Sequence, residues 1–197
     1  MAKATFLVPE LTQYTEVPAI VPGAMAHSSP FVAKPDFQEP LGYPGELVDD
    51  WQNKAIDKMG ELLGKYRSLQ VYMDACVKCG ACTDKCHYFL GTSDPKNMPV
   101  GRQDLMRKVY RRYFTVAGKL FPKLVGAEDF TKEVLDDWYS YFHQCSQCRR
   151  CSVFCPYGID TAEISMAARE IMDCIGVGQK YCNEIIAKVY KVGNNLG

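Results

Sequence analysis

The sequence predicts an all-α fold behind an extended, proline-rich arm. Three observations predict it. From residue 46 onward, apolar residues recur at three- and four-residue intervals in successive stretches, the period of one helix face. No stretch alternates apolar and polar side chains as a half-buried strand does. The periodic stretches are interrupted by two short cysteine runs of the same spacing, C-x2-C-x2-C-x3-C. These are "CVKCGACTDKCHYF" (76–89) and "CSQCRRCSVFCPYG" (145–158).

Taken in order, residues 1–45 hold Pro9, Pro18, Pro22, Pro30, Pro35, Pro40 and Pro44. Proline fixes φ and removes a backbone donor, so this segment is neither helix nor a good strand. Phe6, Leu7, Val8, Ile20, Val21, Phe31, Val32 and Phe37 make it more apolar than a typical disordered tail. It reads as an arm ordered against another surface, with a floppy leader as the alternative. From Glu46, the residues Leu47, Trp51, Ala55, Met59, Leu62, Leu63 and Tyr66 form one amphipathic helix that leads to the first cysteine run. "SDPKNMPVGR" then bars a helix until about Val100. A second helix follows with Leu105, Val109, Tyr110 and Tyr113 on one side, and "AGKLFPKLVGAED" breaks it. The third helix runs from about Phe130 to His143, with Val134, Leu135, Trp138, Tyr141 and Phe142 at helical spacing.

Pro156 and Gly158 end the second cysteine run. Asp160 and Glu163 then form a capping box, in which Asp160 accepts from first-turn amides and Glu163 reaches back. Gly176 is placed to stop this fourth helix. A last helix covers about Gln179 to Lys191, with Gly193 after it. Residues 46–192 thus form one helical domain, and 193–197 read as a linker toward a further C-terminal region.

The chain has 197 residues, enough for one domain with a real core. Its 23 basic and 23 acidic residues cancel, which argues against a nucleic-acid binder. No apolar stretch approaches the roughly 20 residues a membrane span needs. The start, "MAKATFLVPELTQYTEV", lacks the features of a secretory signal. The expectation is a cytoplasmic chain, soluble in itself.

Ten cysteines without an export signal point to metal rather than disulfides. Thiols spaced by two residues converge on one point instead of pairing off. A C-x2-C-x2-C turn supplies three thiolates to one iron–sulfur cube, and a cube needs four. In bacterial two-cluster ferredoxins, the fourth cysteine of such a run serves the other cluster. The same logic assigns Cys76, Cys79, Cys82 and Cys155 to one [4Fe–4S] cluster. Cys145, Cys148, Cys151 and Cys86 take the second. The repeat is then explained, because each run completes the other and the two centres lie close together. The second run carries the expected proline, Pro156, whereas the first has His87 there. Four thiolates also suit zinc, but zinc sites usually use separate C-x2-C pairs.

The flanking charges admit two readings. Lys78, Lys85, Arg149 and Arg150 either raise cluster potentials or point to water from loop edges. His87 either donates to a cluster sulfur or sits on the surface. In "RQDLMRKVYRR" (102–112), the basic side chains form a docking face for an acidic partner or lipid headgroups, or a solvated face. The solvated face is the simpler reading, with Glu128, Asp129, Glu133, Asp136 and Asp137 available to neutralise it. Cys174, beside Ile171 and Ile175, reads as a buried thiol, and Cys182 as the same.

The phrases "MDACVKCGACTDKCHYFLGTSDPKNMPV", "VYRRYFTVAGKLFPKLVGA" and "CRRCSVFCPYGIDTAEI" carry a resemblance. From about residue 45 onward the chain resembles the N-terminal part of the K subunit of the membrane complex linked to dissimilatory sulfite reductase. That family is similar to the heterodisulfide reductase D family. The resemblance implies an α-helical ferredoxin domain with two [4Fe–4S] clusters. It also implies electron transfer in dissimilatory sulfur metabolism, in sulfate reduction, within a membrane complex. There the chain would lie peripherally on the inner face of the cytoplasmic membrane, exchanging electrons with a haem b membrane subunit. Its substrate would be a small sulfur-carrier protein with a disulfide or trisulfide. In the family the chemistry resides in a C-terminal region with CCG motifs, and no CC pair occurs in this sequence. Catalytic residues are therefore assigned to none of these positions. Two other readings are a free-standing two-cluster carrier serving an active site on another chain, and the iron–sulfur subunit of a flavin dehydrogenase.

Overall fold

A computed structural model describes residues 47–194, apart from the side chains of residues 180, 181, 184, 190 and 191. The proline-rich arm expected over 1–45, and the last three residues, lie outside the described residues. Within 47–194 the chain is helical and contains no strand. The helices are α1 (Trp51–Lys65), α2 (Arg67–Ala75), α3 (His87–Thr92), α4 (Pro99–Phe114), α5 (Val116–Leu120) and α6 (Pro122–Val125). They continue as α7 (Lys132–His143), α8 (Arg150–Val153), α9 (Thr161–Cys174) and α10 (Lys180–Val192).

Helix α9 is the centre of the fold, packing against α1, α4 and α7. Its small and branched face permits this. Ile164, Ser165, Ala168, Ile171 and Met172 are fully covered. Ala55, Met59 and Leu62 of α1 reach it from one side, Met106 and Val109 of α4 from another, and Leu135 and Trp138 of α7 from a third. An aromatic chain strengthens the far end of this core. Trp51 meets Phe130 edge-on with centroids 5.4 Å apart, Phe130 meets Trp138 at 4.7 Å, and Trp138 meets Phe142 at 5.4 Å. Such pairs add about 0.5–1.5 kcal/mol each beyond their burial. The Trp138 indole N–H donates to the Leu105 carbonyl at 3.2 Å, so its one polar atom is satisfied.

The helix boundaries depart from expectation where the sequence lacks punctuation. The single helix expected through Tyr66 breaks there, because Tyr66 adopts an extended backbone, and α2 begins anew. Leu69 and Met73 of α2 are buried, and Cys76 follows as its C-cap. The stretch expected as a plain break after α4 contains α5 and α6, capped by Thr115, whose hydroxyl accepts from the Gly118 amide. On these two short helices Val116, Leu120, Phe121 and Leu124 face outward.

Two expectations about α9 are corrected. Asp160 does cap it, accepting from the Ala162 amide at 2.9 Å. Glu163 does not reach back, because its carboxylate accepts from the Ser68 hydroxyl of α2 instead. Cys174 is exposed, not buried. At 100° per residue it falls about 120° from the centre of the stripe made by Ala168, Ile171, Met172 and Ile175. Cys182, at the start of α10, is exposed as well.

Candidate iron–sulfur centre

The two cysteine runs fold alike. In the first, Lys78 (φ 57°) and Gly80 (φ 79°) have left-handed backbone, two and four residues after Cys76. In the second, Gln147 (φ 57°) and Arg149 (φ 58°) stand at the same offsets from Cys145. Left-handed residues that alternate with right-handed ones curl the chain so that successive amides face one concave side. Lys78, Gln147 and Arg149 adopt this conformation without being glycine, at a cost the surroundings must sustain.

Each run lies beside the N-terminus of a long helix. Pro99 opens α4, where its missing N–H is no loss, and Asp160 opens α9. The two helix starts meet between two cavities. The first cavity is bordered by Cys76, Cys79, Cys82, Cys155 and Cys151, with Val100 and Thr161 from the helix starts. The second is bordered by Cys145, Cys148, Cys151 and Cys86, with Pro99 and Ala162. The structure thus places the first three thiols of each run beside the fourth thiol of the other. Cys151 borders both spaces. Among the described residues, no three His, Cys, Asp or Glu side chains close on a point suited to a single ion.

The fourth cysteines reach across by different means. Cys86 is the N-cap of α3, after a tight turn at Thr83–Lys85. Cys155, in contrast, does not begin a helix. It sits in a turn closed by the Gly158 amide donating to the Cys155 carbonyl at 3.1 Å. Pro156 and the left-handed Gly158 (φ 66°) delay α9 until Thr161.

Of the eight thiols Cys86 is buried, Cys76, Cys82, Cys145, Cys151 and Cys155 are part-buried, and Cys79 and Cys148 are exposed. Burial pushes the Cys82 thiol up to about 11, against a lowering by a hydrogen bond from the Val100 amide at the start of α4. Burial likewise raises Cys151, partly offset by hydrogen bonds with the hydroxyls of Thr161 and Ser152. A thiolate there needs a cationic partner, and bound metal supplies one. The donor set of soft thiols, the room around it and the inward amides fit an iron–sulfur cube.

The structure moves several charged residues away from where the sequence puts them. Arg102 is not on a solvated face. It is 2% exposed, borders the second cavity, and donates to the Tyr141 carbonyl at 2.8 Å and to the Asn97 carbonyl at 3.2 Å. Arg107 is also buried. Two others in that stretch are neutralised by acids named above, Lys108 pairing with Glu128 at 3.1 Å and Arg112 with Asp129 at 2.6 Å, while Arg111 donates to the Val125 carbonyl at 2.8 Å. Arg169 of α9 donates to the Phe142 carbonyl at 2.7 Å and to the Cys145 carbonyl at 2.5 Å. It therefore ties the end of α7 to the start of the second run. Burial and the Arg169 guanidinium push the His143 imidazole down to about 4. A signal for Arg102 exists in the sequence, since Arg102, Leu105, Met106 and Val109 form an i, i+3, i+4, i+7 stripe.

Three of the four loop cations are ion-paired. Lys78 meets Asp104 at 2.5 Å, Lys85 meets Asp84 at 2.6 Å, and Arg149 meets Asp160 at 3.3 Å. His87 is exposed, as expected, with a ring nitrogen 3.4 Å from the Ser146 hydroxyl.

Comparison with known proteins bears on this arrangement. The 4Fe-4S dicluster domain family matches residues 72–159, which span both runs. Two archaeal relatives cover more of the chain. The Hdr-like menaquinol oxidoreductase iron-sulfur subunit of Archaeoglobus profundus is 50% identical over 152 residues, 77% of this chain. Over that stretch the chain is similar to an Hdr-like iron–sulfur subunit. A second protein of that name, numbered 2, from Archaeoglobus fulgidus is equally similar, at 50% identity over 152 residues. The D chain of the dihydromethanophenazine:CoB–CoM heterodisulfide reductase of Methanosarcina barkeri is 29% identical over 106 residues, 54% of this chain. The chain spans about a quarter of the length of these relatives: 27% of the Archaeoglobus proteins and 25% of the Methanosarcina one. No solved structure matches. Among the described residues, no helix is long and apolar enough to cross a membrane.

Proposed function

We propose that this chain relays single electrons through two [4Fe–4S] clusters as the front part of an Hdr-like oxidoreductase subunit. Cys76, Cys79, Cys82 and Cys155 hold one cluster, and Cys145, Cys148, Cys151 and Cys86 hold the other. The observation that carries this reading is the reciprocal lining of the two cavities, each with three thiols from one run and the fourth from the other. Bound clusters supply reversible one-electron chemistry. The chain supplies thiolates, amide donors and a shared wall at Cys151 that keeps the two centres adjacent.

The names of the relatives support a wider setting for this relay. One is named for menaquinol and another for a heterodisulfide, which supports a place between a quinol-type donor and a disulfide-bearing acceptor. We extend this to a membrane complex of sulfur metabolism, as in sulfate reduction. In it the chain sits on the cytoplasmic face, receives or gives electrons through a haem b membrane subunit, and serves a small sulfur-carrier protein. The outward apolar side chains of α5 and α6 suit a chain that docks on partner subunits.

The deciding experiment replaces Cys155 with Ser in the holoprotein. The expected result is loss of the cluster bound mainly by the first run, with the second-run cluster intact by electron paramagnetic resonance. Loss confined to the second-run cluster would reject the crossed assignment.

A further inference from the structure

Charge distinguishes the clusters that the two cavities would hold. Among the described residues, Lys78 is the one ionised side chain bordering the first cavity, and Asp104 compensates it at 2.5 Å. The remaining polar residues there, including Gln103 and Thr161, are neutral. The second cavity is bordered by Lys85, Arg102 and Arg149, together with His87, and by no carboxylate among the described residues. Lys85 and Arg149 are each compensated by a carboxylate, Asp84 at 2.6 Å and Asp160 at 3.3 Å. Arg102 differs from both. Its side chain is 2% exposed, and its hydrogen bonds go to the carbonyls of Tyr141 and Asn97 and to the Asn97 side-chain oxygen, all neutral.

A buried cation without a counter-charge is among the costlier features a fold can hold. A second guanidinium, that of Arg169, lies close enough for the two to repel each other, so the local arrangement adds to the cost. The cost vanishes if an anion occupies the cavity that Arg102 borders. A cube carried by four thiolates is such an anion, and it becomes more negative on reduction.

We propose that Arg102 is the built-in counter-ion of the cluster held by Cys86, Cys145, Cys148 and Cys151, and that it sets this cluster above its neighbour in reduction potential. The inference rests on the two-cluster reading. A fixed buried cation favours the reduced, more negative state, and the surrounding low dielectric keeps that effect from being screened. Neutral donors do not undo the asymmetry, because each side has them: the Val100 amide serves Cys82, and the hydroxyls of Thr161 and Ser152 serve Cys151. Electrons delivered to the pair come to rest on the second-run cluster. The downhill direction runs from the first cavity to the second.

The test is a redox titration of the holoprotein followed by electron paramagnetic resonance, with the C155S variant identifying which signal belongs to the second-run cluster. In the unaltered protein that signal is expected to appear first as the potential is lowered. In R102Q it should appear later, with the other signal unmoved, and in R102K it should return toward its original place. The proposal is overturned if the first-run cluster is reduced first. It is also overturned if R102Q shifts both signals together or neither. Should R102Q fail to accumulate, the order in the unaltered protein and its retention in R102K still decide. Iron and acid-labile sulfide analysis separates the underlying reading: less than two clusters per chain in the unaltered protein would sink that reading itself.

Discussion

Gly80 and Arg149 occupy equivalent places in the two runs, both with left-handed backbone. For Gly80 the conformation is free, and a side chain there costs about 1–2 kcal/mol. Gly80→Ala should therefore destabilise the holoprotein by that amount, read as a lower thermal midpoint. Arg149→Gly releases the same strain but adds unfolded-chain freedom worth roughly 0.5–1 kcal/mol. It also gives up an ion pair to Asp160 whose arginine is 62% exposed, an interaction worth about 0–1 kcal/mol. The terms nearly cancel, so R149G should melt close to the unaltered protein. A large loss in R149G would mean that the Asp160 contact matters more than its exposure suggests. At this scale the eight clustered thiols are legible because cysteine spacing is a local code. Arg102 is legible only in its place on the apolar stripe of α4; its partners, the carbonyls of Tyr141 and Asn97, are not, and a basic side chain in a basic stretch looks solvated without them. Cys174 is misplaced by the sequence because adjacency to Ile175 in the chain is not a shared helix face.

Helices α1, α4, α7, α9 and α10 are readable from apolar periodicity, and their caps from proline, threonine, aspartate and glycine. What stays hidden in the sequence are short or contextual elements. The break at Tyr66 carries neither glycine nor proline, and α3, α5 and α6 are too brief to show a period. The capping box shows the same limit: Asp160 acts locally and is legible, whereas Glu163 is claimed by Ser68, 95 residues away in the chain. This division predicts different outcomes for the two acids. Asp160→Ala removes the α9 cap and the acceptor of the Ser152 hydroxyl, which bonds it at 2.8 Å, and should cost about 1–2 kcal/mol in urea unfolding. Glu163→Gln keeps an acceptor for Ser68 and touches no cap, so its cost should be well under half of that. Equal losses would show that the reciprocal cap forms after all.

As a whole, the molecule builds most of its hydrophobic core from the helices, with Cys76 and Cys155 packed only against its edge. The α1–α4–α7–α9 contacts and the Trp51–Phe130–Trp138–Phe142 chain are complete without the cavities. Stripping iron with a chelator should therefore lower the melting temperature, yet leave most of the far-ultraviolet helical signal at room temperature. Collapse of that signal would mean that the helices depend on the clusters, as in domains folded by their metal. The central position of α9 has one more consequence, which concerns time. The first-run thiols leave the ribosome about 90 residues before α9 is finished, on the order of ten seconds at usual synthesis rates. For most of that interval Cys76, Cys79 and Cys82 lack the Cys155 thiol, and throughout it they lack the finished walls that α9 erects. Each nascent chain thus passes through a period in which its thiols are open to oxidants. The yield of loaded protein should accordingly follow how reducing the host is during translation more closely than how carefully air is excluded afterwards.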